Sequence, residues 1–213
     1  MTVVDVQFRL QGNTIPVDHG YHLSSAVSEV VPSLHGDQEV GLHPIAGQLV
    51  GNRLMAITER SFLTIRISSE RISEILPLAG KTLSIDKHAL TVGVPRTCAL
   101  APSDQLYSRL VVIKGFMEPE PFLDAVQRQL EGLEVKANPS LVDQSHIAEA
   151  NRDKETGSHS PYLRRTIRIR DKEVVGFAVR VEELTPEASI CIQQKGIGGR
   201  RRFGCGLFVP DRS

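Results

Sequence analysis

The alternation and periodicity of apolar residues predict an ordered series of strands and helices. Residues 3–10 alternate between apolar and polar positions, which predicts a first strand. After Asp18, a residue type that caps helix N-termini, the apolar positions from Leu23 to Val31 follow an i, i+3, i+4, i+7 pattern. This pattern predicts a helix, and Pro32 is expected to end it because proline interrupts the backbone hydrogen bonding.

The elements that follow complete a recognisable order. They are strand-like runs at 48–58 and 62–67, a short helix opened by Ser69-Glu70, and strands at 82–85 and 89–92. The stretch through His43-Pro44 is interpreted as a loop. The resulting order, β-α-β-β-α-β, is the split βαβ pattern of ferredoxin-like domains.

A second series repeats this architecture. It comprises a strand at 106–114, a helix at 120–133, a long polar loop at 138–160, strands at 163–170 and 174–181 joined by a turn at Asp171-Lys172, a helix starting at Thr185-Pro186, and a closing strand at 201–209. The sequence therefore predicts an α+β protein of two tandem ferredoxin-like (RRM-like) domains, residues 1–97 and 98–213.

Composition narrows the class of protein. The chain has 213 residues, of which 40% are hydrophobic and 23% charged, as in ordinary soluble domains. No apolar run reaches membrane-spanning length, and the N-terminus lacks the basic and apolar segments of a secretory signal. The three cysteines, Cys98, Cys191 and Cys205, are too far apart in sequence for a CxxC pair, which argues against a zinc site. We therefore expect a cytoplasmic protein with no membrane contact.

Charge is distributed unevenly, although the formal net charge is zero. Between Tyr162 and Arg202 there are ten Lys or Arg and five Asp or Glu, a local excess of five positive charges. Such clustering is typical of proteins that bind nucleic acid. Arg164, Arg168 and Arg170 alternate along one predicted strand and share one face, which predicts contacts with phosphates; the alternative is a solvated strand face.

A glycine-rich motif follows the last predicted helix. Two Gly-hydrophobic-Gly triplets flank five residues, three of them arginine, and backbone amides in such turns bind anions when arginines supply charge beside them. The alternative is a glycine-rich hairpin with solvated arginines. The residues predicted to contact phosphate are Gly196, Gly198, Gly199, Arg200, Arg201, Arg202, Gly204 and Gly206.

This motif and several others give the chain a family resemblance. The glycine motif is similar to the signature of the CRISPR-associated RAMP superfamily, especially its repeat-processing Cas-six endoribonucleases. Shorter motifs resemble those of the cyanobacterial and myxobacterial (MYXAN) branch. These are Asp18-His19-Gly20-Tyr21, Leu42-His43-Pro44-Ile45, Leu78-Ala79-Gly80-Lys81, the stretch 111–116 and Pro186-Glu187-Ala188-Ser189.

The resemblance implies a specific activity. It implies cleavage of CRISPR repeat RNA 3′ of its hairpin, by attack of a ribose 2′-hydroxyl on the neighbouring phosphate, without metal or cofactor. The products would be a 2′,3′-cyclic phosphate and a 5′-hydroxyl, with the hairpin retained by the protein. Family members often act with other subunits of a CRISPR interference complex, so such subunits are candidate partners.

Histidine suits this chemistry because its ordinary pKa, about 6.5, lies near working pH. Four of the seven histidines, at 19, 22, 35 and 43, lie in or just after the first predicted helix, where the family usually keeps its catalytic histidine. His35 is the first candidate and His43 the second. His19 could orient the helix start, and His22 could face solvent. Tyr21 is a further candidate, for contact with a nucleobase or a phosphate; the alternative is an aromatic residue of the core. Lys114 could neutralise the scissile phosphate; the alternative is a solvated lysine.

Two other functions fit parts of the sequence. A non-catalytic RAMP subunit that binds RNA would keep the fold and the glycine motif without the histidine chemistry. An unrelated ferredoxin-like enzyme acting on small molecules would not need the arginine-rich strand. Clustered histidines favour the endoribonuclease over the first alternative, and the arginines argue against the second.

Overall fold

The computed structural model describes residues 2–143 and 161–211, and the chain divides into two compact units. The first unit comprises Met1–Ala101 with two later segments, Ile167–Lys172 and Arg200–Cys205. The second comprises Pro102–Thr166, Glu173–Gly199 and Gly206–Ser213. Two short C-terminal segments thus belong to the N-terminal unit, whereas the sequence prediction divides the chain at a single point between residues 97 and 98.

The first unit contains eight of the described strands and two helices. In chain order they are β1 (Val3–Gln11), β2 (Thr14–Pro16), α1 (Gly20–Val30), β3 (Gly41–Leu42), β4 (Gln48–Gly51), β5 (Leu54–Ala56), β6 (Phe62–Ser68), α2 (Ile72–Ile75), β7 (Thr82–Ile85) and β8 (His88–Ala99). Short 3₁₀ turns occupy Pro32–Leu34, Ser69–Arg71 and Leu76–Leu78.

The main sheet of this unit has the order β3-β6-β1-β8-β7. Strand β1 pairs antiparallel with both β6 and β8, and Val6 lies opposite Ile65 on one side and Thr97 on the other. Four of these strands form the ferredoxin-like pattern: β1 is its first strand, β3 its second, β6 its third and β8 its fourth. Strand β7 is added at the edge of the sheet. Alternate residues of β1 are buried in the core, as their periodicity predicts.

The second strand of this pattern was assigned wrongly from the sequence. It is β3, which has only two residues and lies just before His43-Pro44 in the predicted loop. The run 48–58, predicted as one strand, instead forms β4 and β5 of a separate three-stranded sheet with the order β2-β5-β4. A two-residue strand gives no alternation to detect, so periodicity could not identify it.

The second unit has the same core pattern. Its elements are β9 (Leu106–Val111), α3 (Pro119–Gly132), β10 (Asn138–Leu141), β11 (Arg164–Ile169), β12 (Lys172–Glu182), α4 (Pro186–Lys195) and β13 (Val209–Pro210). The sheet order is β10-β12-β9-β13, and β11 pairs with β12 outside this path. The fourth, first, third and second strands are thus β13, β9, β12 and β10, which confirms tandem ferredoxin-like architecture.

Three predictions in this half were wrong in detail. Residues 138–141 form strand β10 rather than loop, and residues 144–160 of the predicted loop lie outside the described residues. The predicted strand 201–209 is a 3₁₀ turn at Arg201–Phe203 followed by the short β13. The hairpin turn lies at Arg170-Asp171, one residue earlier than predicted.

Candidate functional site

One face of α1 is polar along its whole length. Five side chains share it within an arc of about 140° on an ideal helix. The opposite face packs into the core through Leu23, Ala26 and Val27, all nearly fully buried. The polar face consists of Tyr21, Ser24, Ser25, Ser28 and Glu29.

This polar face forms one wall of a cavity of about 790 Å³ within the first unit, which we call the α1 cavity. The remaining lining comes from three further segments. They are His35 and Gly36 after the first 3₁₀ turn, residues 169–172 at the hairpin tip between β11 and β12, and Arg200, Arg202 and Phe203 from the C-terminal segment. Four cationic side chains therefore surround one histidine and one tyrosine: Arg170, Lys172, Arg200 and Arg202.

His35 is presented to the α1 cavity by the turn that ends the first helix. Leu34 is buried, and the backbone N–H of His35 donates to the carbonyl of Pro32 at 3.0 Å. The His35 side chain is exposed. Gly36 follows with φ of +80°, and a β-carbon at that position would stand 4.0 Å from Nη1 of Arg202. Arg202 is thus close to the turn that carries the histidine.

The hairpin tip reaches the start of α1 through two hydrogen bonds. The backbone N–H of Arg168 donates to Oδ2 of Asp18 at 2.9 Å. Nε of Arg170 donates to the phenolic oxygen of Tyr21 at 3.3 Å. Asp18 therefore binds the hairpin. The prediction that it caps α1 was wrong, because the residue at the N-cap is His19.

The arginine segment 200–205 is a tight turn with one buried and two accessible guanidinium groups. Arg200 has φ of +67°, and the N–H of Phe203 donates to its carbonyl at 2.9 Å. Arg202 is half-buried, with its guanidinium carbon 4.8 Å from the ring centre of Phe203. Arg201 is buried, and burial together with repulsion from Arg66 lowers its pKa to about 10. Arg201 is therefore still a cation at neutral pH, but of the three arginines only Arg200 and Arg202 line the cavity.

His43, the second candidate, does not line the α1 cavity. Its Nε2 lies 3.6 Å from Oδ1 of Asp5, too long for a hydrogen bond, and Asp5 is paired with Arg66 through two hydrogen bonds of 2.8 and 2.9 Å. Burial lowers the pKa of His43, against the opposing effect of Asp5. Burial acts to raise the pKa of Asp5, but its bonds to Arg66 prevail and the pKa is lowered. His43 is therefore a neutral residue beside a partly buried ion pair.

The other two histidines near α1 behave as their sequence positions suggest. His19 is buried, its Nδ1 lies 2.9 Å from the carbonyl of Pro16, and its Nε2 accepts from the N–H of Ile45 at 2.9 Å. Both ring nitrogens are thus used to orient the helix start, in the neutral tautomer that carries the proton on Nδ1. His22 is exposed.

The glycines of the C-terminal motif have a structural role that the sequence interpretation missed. Each of the five glycines donates its backbone N–H to an acceptor inside the protein, so none of these amides is available to a phosphate in this conformation. Gly198 and Gly206 both have positive φ. A β-carbon on Gly198 would stand 2.5 Å from the carbonyl oxygen of Val112, and one on Gly206 would stand 2.2 Å from that of Ile197. The acceptors are the carbonyls of Ile192 for Gly196, Val112 for Gly199, Arg201 for Gly204 and Leu110 for Gly206, and the side-chain oxygen of Gln129 for Gly198.

The remaining residues predicted to bind RNA lie elsewhere. Arg164 and Lys114 belong to the second unit, Arg164 half-buried and Lys114 exposed beyond the end of β9. Arg168 belongs to the first unit and is exposed, but it does not line the α1 cavity. Of the basic strand, only Arg170 lines the cavity, together with Lys172, which the sequence interpretation treated as a turn residue.

Sequence reasoning also passed over the polar face of α1. The sequence interpretation assigned no role to Ser24, Ser25, Ser28 or Glu29. The spacing of Tyr21, Ser25 and Ser28 at i, i+4 and i+7 is a helix-face signal that was available. Serines on a helix are usually solvated, so this pattern alone does not indicate a site.

The described residues contain neither a cluster of metal-binding side chains nor a membrane-spanning helix. In residues 2–143 and 161–211, no group of three or more His, Cys, Asp or Glu side chains is arranged to hold a metal ion. None of the helices in the same ranges is long and apolar enough to cross a membrane.

Comparison with known proteins gives a family over the length of the chain. The model of the family described as Cas6 Crispr matches residues 4–213. The chain is 35% identical to the CRISPR-associated endonuclease Cas6 of Myxococcus xanthus (strain DK1622) over 210 residues, which are 99% of this chain and 82% of that protein.

Solved structures agree on the fold at low identity. A Cas6-related protein from Pyrococcus furiosus aligns with a TM-score of 0.66 and 13% identity over 99% of this chain and 100% of that one. A structure described as an RAMP protein binding different RNA substrates aligns with a TM-score of 0.66 and 12% identity over 98% and 99%. Because the family model and the Myxococcus relative both extend over nearly the whole chain, this protein belongs to the Cas6 family.

Proposed function

We propose that this protein is an endoribonuclease that cleaves CRISPR repeat RNA at the α1 cavity, without a metal ion. Family membership supports the substrate and the reaction class, since the Myxococcus relative is named a CRISPR-associated endonuclease. The observation that carries the proposal is the placement of one exposed histidine, His35, in a cavity with four cationic side chains.

The chemistry needs no group beyond those of the protein and the RNA. The 2′-oxygen attacks the adjacent phosphorus, a new O2′–P bond forms, and the O5′–P bond breaks. A base takes the proton from the 2′-hydroxyl, and an acid gives a proton to the departing 5′-oxygen. The products are a 2′,3′-cyclic phosphate and a 5′-hydroxyl, with no water consumed.

We assign proton transfer to His35 and charge stabilisation to the cations around it. Positioned imidazoles contribute about 10²–10⁴-fold to such reactions. Guanidinium groups fixed where negative charge develops on the phosphorane stabilise the transition state more than the ground state. Arg202 lies near the histidine turn and Arg200 lies in the same segment, so these two arginines are assigned to the scissile phosphate.

His35 is preferred to His43 for a physical reason. A proton carrier must reach the RNA and must gain and lose a proton near neutral pH. His43 lies beside Asp5 with only 14% of its side-chain surface accessible, and burial lowers its pKa. His35 is exposed at a cavity wall.

Tyr21 and Arg170 are assigned to binding. Their hydrogen bond places a phenol and a guanidinium together at the cavity wall. A phenol ring stacks on an unpaired base, and Arg170 contacts a phosphate on the same strand. Arg164, Arg168 and Lys114 remain predicted contacts for the hairpin, and association with other CRISPR subunits remains a prediction from the resemblance.

The test is cleavage of the repeat RNA from the same locus under single-turnover conditions with EDTA. His35→Ala is expected to lower the rate at least about 100-fold. The matched control is His88→Ala, which removes a half-buried histidine that does not line the cavity. A substrate with a 2′-deoxy sugar at the cut is expected to resist cleavage, and the 3′ fragment is expected to accept a phosphate from polynucleotide kinase.

Three results would contradict parts of the proposal. Wild-type cleavage by His35→Ala would remove the assignment of this residue. An intact repeat after long incubation with saturating wild-type protein would favour the non-catalytic RNA-binding subunit. A rate that disappears in EDTA and returns with a divalent cation would contradict the metal-free route.

A further inference from the structure

The turn that carries His35 is contacted on both sides by one charged pair from another segment of the first unit. Ser33 precedes the histidine by two residues, and its hydroxyl donates to Oε2 of Glu74 at 3.0 Å. Asp37 follows the histidine by two residues, and its Oδ2 lies 2.7 Å from Nη2 of Arg71. The histidine is thus flanked by two polar contacts to residues more than 30 positions away.

Arg71 and Glu74 are also paired with each other. Nε and Nη2 of Arg71 donate to the two carboxylate oxygens of Glu74 at 2.8 and 3.1 Å. A two-point pair between a guanidinium and a carboxylate fixes orientation as well as distance. The segment that carries the pair is held by Ile75, which is fully buried in the core. The pair therefore gives the histidine turn a rigid support.

The same contacts organise the backbone after the histidine. Oδ1 of Asp37 accepts from the N–H of Glu39 at 2.8 Å and from that of Val40 at 3.4 Å. Burial acts to raise the pKa of Asp37, but its hydrogen bonds with Arg71 and with the Glu39 N–H lower it. Asp37 is therefore ionised at neutral pH and holds both Arg71 and the following backbone.

We propose that Arg71 and Glu74 are positioning residues for His35, which hold its turn in the orientation that presents the imidazole to the α1 cavity. This inference rests on the proposed function. Neither residue lines the cavity, so neither is placed in contact with RNA. Both are partly exposed, with 27% and 32% of their side-chain surface accessible, so their contribution to overall stability is expected to be small.

The predicted signature is a loss of cleavage rate without a loss of binding. A displacement of about 1 Å in a reacting group can lower a rate by about 100-fold. Arg71→Ala and Glu74→Ala are each expected to lower the single-turnover rate about 10–100-fold. The Kd for a repeat RNA that cannot be cleaved, because its cut nucleotide is 2′-deoxy, is expected to change by less than about twofold, since no phosphate contact is removed.

Three further variants distinguish positioning from damage to the fold. Ser33→Ala deletes one exposed hydroxyl, which keeps the fold intact, and is expected to lower the rate about threefold. Arg71→Lys retains the charge but not the two-point geometry, so partial recovery relative to Arg71→Ala is expected. Glu70→Ala, an exposed carboxylate on the same segment, is the control and is expected to cleave at the wild-type rate.

The double variant Arg71→Ala/Glu74→Ala tests whether the two residues act together. If they support one turn as a unit, the double variant is expected to be about as slow as the slower single variant, rather than showing the product of the two losses. Thermal midpoints of all variants are expected within about 4 °C of the wild type.

The outcomes separate this inference from the proposed function. An inactive His35→Ala together with wild-type rates for Arg71→Ala and Ser33→Ala would overturn the positioning role and leave the catalytic assignment intact. Wild-type activity of His35→Ala would overturn both. A weaker Kd with an unchanged rate at saturation would show that Arg71 binds RNA, which also contradicts the inference.

Discussion

Arg170 donates a hydrogen bond from Nε to the phenolic oxygen of Tyr21 at 3.3 Å, although the two residues are 149 positions apart in the chain. Arg170 is the first residue of the hairpin turn and has φ of +55°. Tyr21 is in the first turn of α1. The tertiary contact, not the alternation of arginines along β11, therefore brings this positive charge to the cavity.

Removing Arg170 is expected to weaken RNA binding through the loss of one phosphate contact. Arg170→Ala should lower affinity similarly for different repeat sequences and reduce the slope of log K against log salt by about one. Tyr21→Phe removes a hydroxyl but no charge, so its slope should equal that of the wild type. Titration of labelled RNA at several salt concentrations measures both slopes. Equal slopes for wild type and Arg170→Ala would show that this guanidinium does not contact phosphate.

Asp18 is expected to hold the hairpin tip against the start of α1. Its carboxylate accepts the backbone N–H of Arg168 at 2.9 Å. Asp18→Ala should therefore increase the hydrogen-exchange rate of the Arg168 amide, because its acceptor is lost. Asp18→Asn keeps an oxygen at that position and should preserve most of the protection. NMR-detected exchange checks this prediction, and equal exchange in wild type and Asp18→Ala would contradict it.

His43 is expected to make the protein less stable as pH falls below about 6.5. Burial lowers its pKa in the folded state, so below the ordinary value the unfolded chain binds a proton that the folded chain does not. The free energy of unfolding therefore falls with decreasing pH, by at most about 1.4 kcal/mol per pH unit for one such group. Above the ordinary value both states are neutral, and His43 contributes no slope.

The measurement is urea unfolding of wild type and His43→Gln between pH 5 and 8. The difference between their free energies of unfolding should be flat above pH 7 and should decrease, to the disadvantage of the wild type, toward pH 5. Asp5 also has a lowered pKa in the folded state, so its contribution to stability is likewise lost in acid. That loss occurs mainly below its ordinary value of 3.8 and so leaves this window undisturbed. Parallel curves for the two proteins across the whole range would contradict the prediction.

The architecture could be predicted from the sequence because it depends on long periodic segments. The alternation in β1 and the apolar stripe of α1 both match buried positions. The second strand of each unit could not be found, because β3 has two residues and β10 has four, one of them Pro139. Strands this short exist through pairing with β6 and β12, and pairing is not visible in local pattern.

The candidate site could be predicted only where it depends on a periodic segment. His35 could be chosen because its place at the end of α1 follows from a helix that the sequence specifies. The cavity's other wall comes from residues 169–172 and 200–203, which reach the first unit only through the fold. The support from Arg71 and Glu74 likewise depends on contacts more than 30 residues apart, and no spacing rule indicates them.

Neighbouring glycines in the C-terminal motif offer a matched test of whether this segment is structural or binds RNA. Gly198 has φ of +77°, and a β-carbon there would stand 2.5 Å from the carbonyl oxygen of Val112. At Gly199 no atom would lie within 4 Å of an added β-carbon. Gly198→Ala should therefore lower the free energy of unfolding by about 2–4 kcal/mol, through strain and overlap together, whereas Gly199→Ala should change it by less than about 0.5 kcal/mol.

RNA affinity separates the two roles of the motif. The amide of Gly199 donates to the carbonyl of Val112 at 2.9 Å, so a methyl group at this exposed position should leave RNA binding unchanged. Gly198→Ala should bind RNA normally at temperatures where it remains folded, since its effect is on the fold. Denaturant unfolding and RNA titration of the same preparations check both statements. A fully stable Gly199→Ala with at least tenfold weaker RNA binding would instead show that the backbone of this turn contacts the phosphate chain.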